Sequence, residues 1–176
     1  MNYSIDVHKH RFAAWAASRA ASVNGCRFPV EEGKIILEKA GIKELIYGPD
    51  RLPLPQDIDI AHRDWRAKVI KAAVNYPFTH GVAAKLINIY LKACFVCGGY
   101  HEHERVRTLH PPIDSLLLEE LSKENIGGRR RVWDEAIKIR WSKFSSDQYE
   151  KVIVNIRQAM EAAPLWEVEK YWRGYQ

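Results

Sequence analysis

The stretch "NYPFTHGVAAKLINIYLKACF", residues Asn75–Phe95, sets the fold class. A turn rich in proline and glycine ends at Gly81, and apolar residues then recur with a helical period. Val82, Leu86, Ile89, Tyr90 and Ala93 fall on one side, and Lys85, Asn88 and Lys92 on the other, so the spacing predicts an amphipathic helix over 82–95. Lys85 sits near the start of that helix, where the positive end of the dipole works against a cation.

The flanking sequence follows the same period. A helix is predicted over 5–22, with Phe12, Trp15, Ala16 and Ala20 marking a partly buried face. A short helix follows Pro29 and closes at Gly41, and "GPDRLPLPQ" (48–56) reads as an extended connector. Residues 58–75 form a third helix with Ile60, Trp65, Val69, Ala72 and Ala73 on its apolar face. Beyond a loop over 98–112, "DSLLLEELSKE" is a helix stopped by Gly127-Gly128. A short helix then runs to Trp141. Ser145 with Gln148 is a capping-box signature ahead of Tyr149, Val152, Ile153, Ile156 and Met160, and Pro164 opens a last helix. No stretch alternates with period two. The expected fold is all-α: one compact helical domain over 1–176 of about eight helices, with room for two lobes and a cleft between them. The helical hairpin occupies 60–95, the next helix 112–124 and the C-terminal helices 129–173.

Composition narrows the function classes. With 47% hydrophobic and 28% charged residues the chain is not disordered. No uninterrupted apolar run reaches the roughly 18 residues needed to cross a bilayer, and "MNYSIDVHKHRF" lacks the apolar block of a signal peptide. Three cysteines are too few for a disulfide framework, so the expectation is a cytoplasmic protein with no membrane partner. A net charge of +5 favours an anionic partner, nucleic acid above all.

"HGVAAK" (80–85) and "HPPIDSLLLEEL" (110–121) together resemble the helix-hairpin-helix DNA glycosylases, the superfamily of endonuclease III and 8-oxoguanine DNA glycosylase. Gly81, Val82 and Lys85 match its hairpin, with Ala83 where the second glycine normally stands; Pro112, Ile113, Asp114 and Ser115 match the later aspartate-bearing segment. The Lys-to-Asp interval of 29 is long, as in the archaeal 8-oxoguanine glycosylase class, and the four-cysteine iron–sulfur loop of endonuclease III is absent. The resemblance implies a DNA glycosylase-like fold containing a helix-hairpin-helix, and a monomer acting on double-stranded DNA that carries a damaged base. An oxidised purine such as 8-oxoguanine fits best, because members with the lysine usually act on oxidised bases. It implies no cofactor. Lys85 would be the nucleophile, Asp114 the electrostatic partner, and His80, Gly81, Val82 and Ala83 the hold on the DNA backbone.

That chemistry explains the residue types. Cleaving an N-glycosidic bond leaves C1′ electron-poor, which a carboxylate stabilises. An uncharged amine attacks C1′ to give a Schiff base, from which the strand is nicked by β-elimination. Arg129, Arg130 and Arg131 are candidates for phosphate contact, and Trp133, Trp141, Trp166 and Trp172 are weaker candidates for the pocket of an extruded base. Cys94, Cys97, His101 and His103 form a weak zinc set, and no metal is expected. The alternative is a non-catalytic helical module that binds DNA or a protein, in which Lys85 and Asp114 have no joint task.

Overall fold

The computed structural model describes residues 3–175, and among these the chain is all-α, with no strand beyond an isolated bridge between Val23 and Cys26. Eight α-helices are present: α1 (Ile5–Ala21), α2 (Val30–Lys39), α3 (Ile58–Ala72), α4 (His80–Leu91), α5 (Glu104–Arg107), α6 (Ser115–Lys123), α7 (Arg130–Ile139) and α8 (Ser146–Met160). Short 3-10 turns link them. The expected extended connector over 48–56 contains two such turns, Pro49–Arg51 and Pro55–Asp57, because proline suits the first position of a helical turn as well as an extended chain.

The start signals act as expected. Thr79 caps α4 by accepting from Val82 N–H, Asp114 caps α6 by accepting from Leu117 N–H, and Ser145 and Gln148 form a reciprocal capping box on α8. At the far end of α4 the backbone widens into π-type turns over Lys92–Tyr100, a region expected to become a loop from Gly98 onward. The joined element, His80–Tyr100, interrupted by Lys85 and Lys92, is long and apolar enough on average to span a membrane by length and composition, and 67% of its most apolar window is buried inside the fold. It is the core helix.

Two hydrophobic clusters meet on α4. One gathers α1, α2, α3 and the Leu86–Tyr90 side of α4; the other gathers Ala84, Ile113, α6, α7 and α8, and Trp141 packs against both. The predicted face of α1 is turned, and that of α3 holds at Trp65, Val69 and Ala73 but not at Ile60. On α1 the buried residues are His10, Ala13, Ala14, Ala17, Ser18 and Ala21, while Phe12 and Trp15 are exposed. Small alanines let α1 lie close against α4, and His10 accepts from Tyr90 O–H at Nδ1 (2.7 Å) and donates from Nε2 to Glu38 (2.9 Å). On α3 it is Ile58, His62, Trp65, Arg66 and Val69 that turn inward, and Ile60 is exposed.

Gly81 is fixed by this packing. Its N–H donates to Phe144 C=O (3.3 Å), and a Cβ there would lie 1.7 Å from the Trp141 carbonyl oxygen. Thr79 Oγ1 donates to Ser142 C=O (2.9 Å), so residues 141–144 are fastened onto the start of α4. Gly81→Ala is expected to lower unfolding free energy by about 2–3 kcal/mol, the cost of overpacking. Gly98→Ala, whose nearest neighbour to a built Cβ is 3.9 Å away, should change it by less than about 0.5 kcal/mol. Urea denaturation of the two variants is the check.

Candidate active site

Lys85 and Asp114, from helices separated by 29 positions, meet: Lys85 Nζ donates to Asp114 Oδ2 at 2.9 Å. Each end is held by local structure. Asp114 is the N-cap of α6, placed after Pro111-Pro112, and its Oδ1 is committed to Leu117 N–H (2.9 Å), which leaves Oδ2 facing α4. Oδ2 also accepts from Trp172 Nε1 (3.0 Å). The Trp141 ring lies under the amine, with Nζ 5.5 Å from its centroid, a cation–π distance for the charged form. One carboxylate thus binds a cap, an amine and an indole, with aromatic rings on two sides.

Beside this pair lies a second one. Lys92 is paired with Glu169, whose carboxyl is raised above its ordinary value by burial, against the pull of Lys92. Glu169 and Trp172 belong to the Leu165–Tyr171 3-10 turn and its cap, where residues three apart align, so that Glu169 reaches Lys92 and Trp172 reaches Asp114. Neither Glu169 nor Lys92 was anticipated. The repeat of Glu169 and Trp172 at a spacing of three was the available signal.

Of the polar stripe expected to face solvent, Lys85 and Asn88 are buried and Lys92 is partly exposed. Lys85 is 5% exposed and Asn88 2%. Burial holds the Lys85 amine below its ordinary range, and the charge and hydrogen bond of Asp114 only partly restore it. The cause differs from the helix dipole: Lys85 lies beyond the first turn of α4, outside the dipole's reach.

Asn88 connects the site to a buried hydrogen-bond chain whose donors can be assigned in one direction. Arg66, fully buried, donates to His62 Nδ1 (3.1 Å), which leaves His62 Nε2–H to donate to Asn88 Oδ1 (2.7 Å). Asn88 Nδ2 donates to Pro111 C=O (2.9 Å) and Tyr149 Oη (3.0 Å). Tyr149 O–H then donates to His110 Nδ1 (3.1 Å), and His110 Nε2–H to Asp59 (2.8 Å), which Arg157 grips with two further bonds. Through Pro111, the chain fixes the turn that delivers Asp114.

Other expected site residues are placed differently. Gly81, Val82 and Ala83 are interior, and the N–H groups of 81, 82 and 83 are taken by Phe144 C=O, Thr79 Oγ1 and Thr79 C=O. The N–H groups of 81–83 are thus not free for the expected phosphate contact, and residues 141–144 of the same chain pack against this turn. His80 is partly buried near Arg66 and Glu150, with burial lowering its pKa. Arg129 donates to Asn155, and Arg130 caps α6 through the carbonyls of Ser122 and Lys123, so only Arg131 of the three has no hydrogen-bond or ionic partner among the described residues. Trp133 is wholly buried and bonded to Ile126 C=O, and Trp166 packs edge-on to His101; of the four tryptophans, Trp141 and Trp172 reach the site. The zinc set does not converge. Cys94 is core, with its thiol pushed up to about 12 by burial, Cys97 is exposed, and among the described residues no group of three or more His, Cys, Asp or Glu is placed to hold a metal.

No family model, curated protein or solved structure matches this chain.

The histidines in the buried chain give a pH signature. Burial holds His62 and His110 below the ordinary 6.5, so their contribution is complete above pH 6.5 and declines as pH falls, when the unfolded chain takes up protons that the folded one refuses. Asp59 and Glu150, also depressed, matter only as pH drops below their unfolded values of 3.8 and 4.5. Unfolding free energy from urea titrations should fall between pH 6.5 and 5. His62→Gln, which retains a donor for Asn88, should reduce that slope by up to about 1.4 kcal/mol per pH unit.

Proposed function

We propose that this protein is a DNA glycosylase with lyase activity, in which Lys85 attacks C1′ of a damaged nucleotide and Asp114 stabilises the developing positive charge. The observation that carries the reading is the contact between an amine, depressed by burial, and a carboxylate oxygen 2.9 Å away. Two indoles, Trp141 and Trp172, flank it. Amines with lowered pKa are the ones that act as nucleophiles near neutral pH.

The glycosidic bond breaks with its electron pair leaving on the base, and Asp114 faces the electron-poor C1′. The departing base takes up a proton from solvent. The Lys85 nitrogen bonds to C1′ and passes its proton to Asp114, the nearest acceptor. Asp114 returns that proton to O4′ as the C1′–O4′ bond breaks, which gives the Schiff base; loss of a C2′ proton to Asp114, now ionised again, with cleavage of the C3′–O bond then expels the 3′ phosphate and nicks the strand, and water releases Lys85 by hydrolysis. Trp172 now occupies Asp114 Oδ2, so admission of the nucleotide goes with displacement of its indole, and Trp141 is left as the ring for stacking the base or sugar. An oxidised purine is the substrate proposed, because the lysine accompanies that class in the family the motifs resemble.

One observation favours a second reading, a non-catalytic helical module: the N–H groups of residues 81–83 in the first turn of α4 are already satisfied within the chain. In that case Lys85 and Asp114 are a structural ion pair.

Borohydride trapping separates the two. Duplexes carrying 8-oxoguanine, uracil, an alkylated base or a preformed abasic site are incubated with the protein and reductant. The enzyme reading expects a covalent adduct, lost in Lys85→Gln, and excision slowed about 10²–10³-fold in Asp114→Asn, whose amide still caps α6. No adduct on any duplex, or one that survives Lys85→Gln, refutes it.

A further inference from the structure

The outer face of α1 carries rings and cations that the fold does not use. Ile5, His8, Phe12, Trp15 and Arg19 follow one another three or four positions apart along this face, and Arg11 adjoins Phe12. Phe12 is 58% exposed and Trp15 52%, with ring centroids 6.0 Å apart, and Tyr3 extends the row beneath the Arg11 guanidinium at 5.3 Å. Among the described residues, Arg11, Arg19 and Arg27 have no carboxylate within ion-pair distance, although most other arginines here are paired or hydrogen-bonded. The row runs into a cavity of about 330 Å³ whose lining includes Arg19 and Arg27.

We propose that this face binds single-stranded DNA, with bases stacked on Phe12 and Trp15 and phosphates held by Arg11 and Arg19. Alternation of rings and arginines on one surface matches an unpaired strand, which presents base faces and phosphates together. Duplex DNA hides its base faces and would leave the rings idle. A membrane-surface helix segregates cations from apolar groups on opposite faces. Here the opposite face is spent on Ala13, Ala14 and Ala17 against α4, so cations and rings share the outward one. Ser4 and His8, exposed at one end of the row, are engaged with Val7 N–H and Tyr3 Oη, and the one carboxylate from Tyr3 to Arg19, Asp6, is partly buried, so the face offers little to a 2′-hydroxyl, which favours DNA over RNA.

The surface is separate from Lys85 and does not depend on its chemistry. Fluorescence anisotropy of a labelled 12-nucleotide DNA strand tests it, with a duplex, an RNA strand of the same sequence and phosphatidylserine vesicles in parallel. The strand should bind, and Phe12→Ala with Trp15→Ala should weaken it at least tenfold while leaving duplex binding unchanged. Arg11→Ala with Arg19→Ala should reduce the slope of log affinity against log salt by about 1.4, two phosphates' worth for a single strand. All four side chains point outward, and helical circular dichroism confirms that the variants fold. The proposal fails if the DNA strand does not bind, if either double variant binds it as the unaltered protein does, if RNA binds more tightly, or if the face captures vesicles instead.

Discussion

Burial of the polar side of α4 is the constraint around which the second half of the chain is arranged. Lys85, Asn88 and Lys92 lie on one stripe of a helix that sits between two hydrophobic clusters, and a buried polar group without a partner is costly. Apart from His62 of α3, which donates to Asn88, their partners come from later segments. Asp114 comes from the cap of α6, Pro111 C=O and Tyr149 from the preceding turn and α8, and Glu169 from the C-terminal 3-10 turn. Trp141 and Trp172 then close over the stripe, and Gly81 allows the first of them to approach.

Electrostatics separates these partners into two kinds. Asp59 and Glu150 are gripped by arginines and histidine and are held well below the usual carboxylate range, which marks them as structural anchors. Lys85 behaves otherwise. It has one carboxylate, shared with a backbone N–H and an indole, and this does not offset the loss of water around the amine. A lysine whose charged form is less favoured than in water, beside a carboxylate oxygen, is the feature on which the proposed nucleophilic role rests.

Local signals made much of this legible. Thr79, Asp114, Ser145 and Gln148 identify helix starts, because capping is decided within four residues, and the Lys85–Asp114 pairing was legible as a motif pair. What periodicity missed depends on neighbours. On α1 the large rings lost the inward position to alanines, since close approach to α4 rewards small side chains. The stripe on α4 looks solvated in the sequence because nothing local shows that α6, α8 and the C-terminal turn will cover it. Likewise, Gly81 reads as a phosphate-binding glycine, yet the Trp141 carbonyl fills the space that a side chain would need.

Whether the Lys85 amine is a nucleophile or a tied-down cation turns on its proton affinity in the folded protein. Titration of Lys85 Cε and Nζ by NMR, assigned by comparison with Lys85→Gln, measures it directly. The account predicts a midpoint below the ordinary 10.5, moving further down when Asp114 is replaced by Asn and the restoring charge is removed. A midpoint at or above 10.5 would mean that Asp114 holds the amine protonated, and would contradict it.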